Sequence, residues 1–105
     1  MVDMTQNQPL SEMAIAQHIE SLTSWKRNEQ SIFREFQFKD FSKSIVFVNL
    51  VAEAAEKENH HPDIDIRWNK VKLALTSHDA GGLTLKDFHL AKKCNALAES
   101  SSGNP

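Results

Sequence analysis

The chain is 105 residues long, 40% apolar and 25% charged, with a formal net charge of −2 when its histidines are neutral. That length suits a single domain with one compact core, so a functional site has to sit at a sheet edge, a loop cluster or a subunit interface rather than in a deep cleft between domains. The slight negative charge leaves no electrostatic footprint for nucleic acid, and the basic pair Lys92-Lys93 reads as solvated helix face.

Residues Met1 to Gln8 are polar and expected to be loose. They lack the basic and apolar regions of a secretion signal, and no apolar run in the chain approaches membrane-spanning length, so the expected location is cytoplasmic, without membrane contact. Ser11 suits a helix N-cap, and Ile15, Ile19 and Leu22 recur at helical spacing, which predicts a short amphipathic helix from Ser11 to Leu22. His18 lies beside that stripe as a packing or surface residue. Trp25-Lys26-Arg27 is a candidate short strand and Asn28-Glu29-Gln30 a turn. Ile32, Arg34, Phe36 and Phe38 then alternate with Phe33, Glu35 and Gln37, the period of a strand.

Asp40 suits the N-cap of a long helix whose apolar positions are Phe41, Ile45, Val48, Ala52 and Ala55, joined by Val51 and Ala54. Pro62 cannot continue that helix and restricts His61, so the helix should end near Asn59 or His60. Ile64, Ile66 and Trp68, then Val71, Leu73 and Leu75, alternate with polar or small residues and predict two half-buried strands. A two-residue turn at Asn69-Lys70 would set Trp68 opposite Val71, with Trp68 a core aromatic. His78-Asp79-Ala80-Gly81-Gly82 is a loop. Thr84 with Asp87 resembles a capping box, and Phe88, Ala91, Cys94 and Leu97 or Ala98 mark a last helix. Cys94 is the lone cysteine, so no internal disulfide forms, and its apolar setting marks it as a small buried hydrophobe. Ser100 to Pro105 should fray.

The element order is helix, strand, strand, helix, strand, strand, helix in one domain spanning residues 1–105. The expected class is α+β, a four-stranded antiparallel sheet with helices on one face. The second sheet face, which carries Phe33, is either wet or covered by another subunit, which favours oligomerisation.

Three histidines gather at one rim of this layout. His60 and His61 sit where the long helix stops, and His78 follows the last strand beside Asp79. Histidine exchanges protons near neutral pH, so two such groups flanking a small molecule can remove one proton and deliver another. Glu56, four residues before His60, would orient it if helical geometry persists, with Asn59 nearby. Plain structural roles exist for each: helix-dipole complements for His60 and His61, a polar loop residue for His78, and a helix N3 residue for Asp87. A metal site built from His60, His61, His78 and Asp79 lacks a supporting H-E-x-x-H or cysteine pair, and no metal ligand is assigned.

The pattern E-x3-H-H-P-x5-W-x9-H-x8-D, through Glu56, His60, His61, Pro62, Trp68, His78 and Asp87, resembles the signature of the pterin-4a-carbinolamine dehydratases. The segment Ile32 to Phe41 and Trp25 are similar to that family as well, and the resemblance runs from about Leu10 to Ala98. It implies a homodimer or homotetramer that dehydrates 4a-hydroxytetrahydrobiopterin to the quinonoid dihydropterin without a cofactor. It also implies functional coupling to an aromatic amino acid hydroxylase. The expected catalytic set is His60, His61, His78 and Glu56, with His60 and His78 moving the protons, Glu56 and Asp87 orienting them, and His61 positioning the pterin ring. Substrate contacts are expected from Asn59, His60, His61, Thr76, Ser77, His78, Asp79 and Asp87. Asn59 departs from members that carry an acid there. A non-catalytic interaction module on the same fold is the alternative.

Overall fold

The structure, a computed structural model, describes residues 7–101. Helix α1 spans Glu12–Ser21, β1 Lys26–Asn28, β2 Ser31–Gln37, α2 Phe41–Glu58, β3 Asp63–Arg67, β4 Lys70–Leu75 and α3 Leu85–Ser101, with a short 3-10 turn at His78–Ala80. The strands form one antiparallel sheet in the order β1-β2-β4-β3. This is the expected α+β layout. Of the ends expected to be loose, residues 1–6 and 102–105 lie outside the described residues, and α3 carries helix one residue past Ser100.

The predicted caps are in place. The Ser11 hydroxyl accepts from the Ala14 N–H at 3.1 Å, and the Asp40 carboxylate accepts from the Lys43 N–H at 2.9 Å. Each satisfies a donor that the first helical turn leaves open. The core lies between the helices and one sheet face. Ile32 and Phe36 of β2 and Val71, Leu73 and Leu75 of β4 point inward against Phe47, Val51, Ala54 and Ala55 of α2 and Leu90, Ala91 and Cys94 of α3. The alternation along β4, with Lys70 and Lys72 outward, fixes the register, because a slip of one residue would expose the whole apolar set. Phe33 is half-buried on the outer face, where the Lys72 ammonium sits 4.9 Å above its ring.

The second hairpin departs from the sequence reading. Arg67 pairs with Lys70 and Ile66 with Val71, so the two-residue turn is Trp68-Asn69 rather than Asn69-Lys70. Asn69 explains the shift. Its amide donates to the Phe38 carbonyl at 3.2 Å, and its own carbonyl accepts from the Phe38 N–H at 2.8 Å, which ties it to the end of β2. Trp68 takes a left-handed backbone (φ 56) and is 69% exposed, so it is not a core aromatic. β3 is an edge strand, exposed along its length rather than half-buried, with Ile64 and Ile66 on the face of Leu73 and Val71.

Candidate active site

The end of α2 determines where the two adjacent histidines go. Asn59 takes a left-handed backbone (φ 52), which asparagine tolerates better than most residues. The Asn59 N–H donates to the Glu56 carbonyl at 3.3 Å and the His60 N–H to the Ala55 carbonyl at 3.1 Å. This paired closure is a Schellman cap. It satisfies the last carbonyls of the helix and swings His60 and His61 off its axis, and Pro62 keeps the chain extended into β3.

Helical i, i+4 spacing therefore stops before His60, and the expected Glu56–His60 contact does not form. Glu56 Oε2 instead lies 2.7 Å from His61 Nε2, a contact in the open with side chains 76% and 58% exposed. His60 turns inward, where its Nε2 lies 2.6 Å from Asp87 Oδ1; the imidazole is 12% exposed and the carboxyl group fully buried.

Asp87 fills two roles that the sequence left as alternatives. Its Oδ2 accepts from the Thr84 N–H at 2.9 Å, closing the capping box of α3, and from the Ser77 hydroxyl at 2.7 Å. Thr84 completes the network: its hydroxyl lies 2.9 Å from Ser77 Oγ and accepts from the Lys86 N–H at 3.2 Å. One buried carboxyl group thus starts a helix, anchors the end of β4 and holds His60. Such a group is tolerated in the interior because each oxygen has partners.

His78 arrives from the end of β4. Ser77 precedes the 3-10 turn, which Gly81 closes in a left-handed conformation (φ 81) with its N–H donating to the His78 carbonyl at 3.0 Å. The His78 ring has no hydrogen-bond partner among the described residues. Thr76 donates its hydroxyl to the Gln30 carbonyl at 2.6 Å, tying this loop to the β1–β2 turn.

A cleft of about 460 Å³ opens between the two histidine-bearing ends. It is lined by His60, His61 and His78 with Asn59, Thr76, Ser77 and Asp79. The three histidines converge as the layout predicts. Glu56 and Asp87 stand behind their histidines and do not line the cleft. Asn7, Ala80, Thr84 and Lys86 line it too and were not foreseen. Lys86 could have been read from its place in the first turn of a helix whose cap faces the loop. Asn7 lies in a polar stretch with no periodicity to read.

Cys94 takes no part. It is fully buried in the core, and burial, with a smaller contribution from Glu58, pushes its thiol up to about 12, so it is not a nucleophile at neutral pH. No helix among the described residues is long and apolar enough to cross a membrane.

A small α+β domain in which an acid-paired histidine shares a polar cleft with a second, unpaired histidine is the class that fold and site define. Comparison with known proteins makes it specific. Residues 8–97 match the profile of the family described as pterin 4 alpha carbinolamine dehydratase. A protein of Acidobacterium capsulatum, named provisionally as a pterin-4-alpha-carbinolamine dehydratase, is 52% identical over 88 residues, covering 84% of this chain and 96% of that one. A protein of Roseiflexus sp. (strain RS-1), with the same provisional name, is 50% identical over 88 residues, with 84% and 95% covered. The crystal structure of a transcriptional coactivator/pterin dehydratase from Brucella melitensis superposes with a TM-score of 0.84 at 34% identity, covering 87% of this chain and 99% of its own. The chain belongs to the pterin-4a-carbinolamine dehydratase family.

Proposed function

We propose that the chain catalyses loss of water from 4a-hydroxytetrahydrobiopterin, giving quinonoid dihydrobiopterin. The observation that carries this is the convergence of His60, clamped by buried Asp87, with the unpartnered ring of His78 on one cleft. The reaction removes the proton on N5, forms the C4a=N5 double bond and expels the C4a hydroxyl, which takes a proton and leaves as water. No electrons change hands overall, and two proton-transfer groups suffice. A carboxylate accepts hydrogen bonds, so the Asp87 contact holds the His60 proton on Nε2 and leaves Nδ1 as the nitrogen that exchanges a proton with substrate. His78 serves the other proton. His61, steadied by Glu56, positions the pterin ring. Asn59, Thr76, Ser77 and Asp79 supply polar edges for the pterin amide, with Ser77 contributing backbone because its hydroxyl is held by Asp87. Well-placed acid and base groups each contribute roughly 100- to 10,000-fold.

The test generates the carbinolamine in situ and follows quinonoid product by absorbance. Wild type should exceed the uncatalysed rate, and His60→Ala and His78→Ala should each lose most of that excess. A folded wild type that leaves the uncatalysed rate unchanged would end the enzyme reading. Such an enzyme would serve a cell in which an aromatic amino acid hydroxylase produces the carbinolamine.

Self-association is part of the same reading. The exposed edge of β3, with Ile64 and Ile66 each 38% exposed beside Trp68, is a better candidate for a copy-to-copy contact than Phe33, which Lys72 covers. A homodimer or homotetramer in sedimentation, reduced to a smaller species by Ile66→Lys, is the expected result. A wild-type monomer at working concentration would reject it.

A further inference from the structure

The cleft has one wall that the family match does not include. Asn7 lines it together with His60, His61 and His78, yet lies just before residues 8–97, the stretch shared with the family. Its position is braced by its neighbours in sequence. The Leu10 N–H donates to the Leu83 carbonyl at 2.8 Å, and the Leu10 side chain packs on the core. Pro9 lies over Gly82, where an added Cβ would meet the Pro9 ring at 3.6 Å and Gln30 Oε1 at 3.1 Å. The Leu83 N–H points to that same Gln30 oxygen at 3.4 Å. Residues 7–10 are therefore strapped to the loop that leads into Thr84 and Asp87. Pro9 and Leu10, inside the shared stretch, hold Asn7, just outside it, at the cleft.

In the dehydratase reading the proton transfers and the amide edge of the pterin occupy the other polar residues of the cleft, which leaves Asn7 and the charged Lys86 as its side chains without a role. Asn7 adds a neutral side chain with two N–H donors and a carbonyl acceptor. A pterin varies chiefly in the substituent at C6, and a neutral donor-acceptor pair suits hydroxyl groups better than a charged group or a bare methyl. We propose that Asn7 is a specificity-determining residue of this chain that hydrogen-bonds a hydroxylated C6 side chain of the pterin; this rests on the dehydratase reading. Discrimination of this kind comes from a polar group left unpaired when the matching hydroxyl is missing.

The test compares the carbinolamine bearing a dihydroxypropyl group at C6 with one bearing a methyl group. For each, kcat and KM are measured with wild type, Asn7→Ala and Asn7→Gln. Loss of one hydrogen bond should reduce the preference for the hydroxylated substrate roughly five- to tenfold in Asn7→Ala, through KM. Asn7→Gln, which keeps the amide, should recover part of it. An equal loss on both substrates, or no loss on either, overturns the assignment. Titration calorimetry of the same proteins with 7,8-dihydrobiopterin and 6-methyl-7,8-dihydropterin reads the same preference without turnover. If wild type binds both but turns over neither carbinolamine, the dehydratase reading fails and the Kd ratio still decides Asn7. If wild type neither binds these pterins nor turns over either carbinolamine, both fail.

Discussion

His60 and His61 are neighbours in the chain, each with a carboxyl partner at nearly the same distance, 2.6 and 2.7 Å, yet the two pairs are physically unlike. The His60–Asp87 pair is almost dry and shares its carboxyl group with the start of a helix. The His61–Glu56 pair stands in water, with both side chains more than half exposed. Breaking a buried pair leaves a stranded polar group and costs several kcal/mol, whereas an exposed pair is screened and contributes about 0–1 kcal/mol. Distance alone would rank them equal. Burial, and the number of other groups that depend on the same carboxyl, separates them.

The largest effects should therefore come from Asp87. Asp87→Ala removes the partner of His60, the partner of Ser77 and the reciprocal half of the α3 cap at once. A loss of about 3–5 kcal/mol in urea unfolding is expected. Asp87→Asn is more informative because it keeps the shape. Its amide oxygen can still accept from Thr84 and Ser77, but the nitrogen then faces His60 and donates. That would force the His60 proton onto Nδ1, the nitrogen proposed to meet substrate. The expected result is a modest change in unfolding free energy with a fall in kcat on the order of 100- to 10,000-fold. If Asp87→Ala costs no more stability than Glu56→Ala, the contrast between the pairs collapses.

How much of this was legible beforehand follows from which interactions are local. The two caps at Ser11 and Asp40, the end of α2 and the element order depend on neighbours within four residues, and the sequence pattern carries them. The convergence of His60, His61 and His78 follows from two strands of nearly equal length. Which carboxyl group goes with which histidine was not legible. Asn59 adopts a left-handed backbone that ends the helical period one residue before His60, and so a carboxyl group 27 positions away takes the place of one four positions away. The turn at Trp68-Asn69 was misread for a similar reason. The contact that fixes it is from Asn69 to Phe38, 31 positions apart. Alternation correctly paired the apolar faces of β3 and β4 but held no information on which side of the sheet would lack a neighbour.

Titration offers the same contrast away from the site. Cys94 is buried and its thiol is pushed up from 9.0 to about 12. Between those values the unfolded chain holds fewer protons than the folded one, so stability is complete below pH 9 and falls as pH rises, by up to about 4 kcal/mol near pH 12. Urea midpoints of wild type and Cys94→Ala at pH 7 and pH 10.5 isolate this slope, and the chain has no tyrosine to add its own. Parallel declines in the two proteins would show that the buried thiol does not carry it. Exposed Glu12 is held below the usual carboxylate range, first by its hydrogen bonds from Arg27 at 2.7 and 3.0 Å and then by the guanidinium charge. Its contribution is present above the ordinary carboxylate range, is lost as pH falls, and is screened by water, so no comparable slope is expected on the acid side.

The smallest effect is expected at Glu56. Glu56→Gln keeps a hydrogen-bond acceptor for His61 and removes only the charge of an exposed pair, so the unfolding free energy should move by less than about 0.5 kcal/mol. Any loss of activity should be a few-fold, expressed in KM, since His61 is proposed to position the pterin ring rather than to move a proton. Salt should imitate the substitution: at about 1 M the screening length shrinks to roughly 3 Å, and the difference between wild type and Glu56→Gln should vanish. A loss above a hundredfold that salt leaves intact would mean that water is absent from this pair when substrate or a second copy is bound. The exposed histidine would then work in the same dry setting as its neighbour, and the difference between the two pairs would belong to the isolated chain alone.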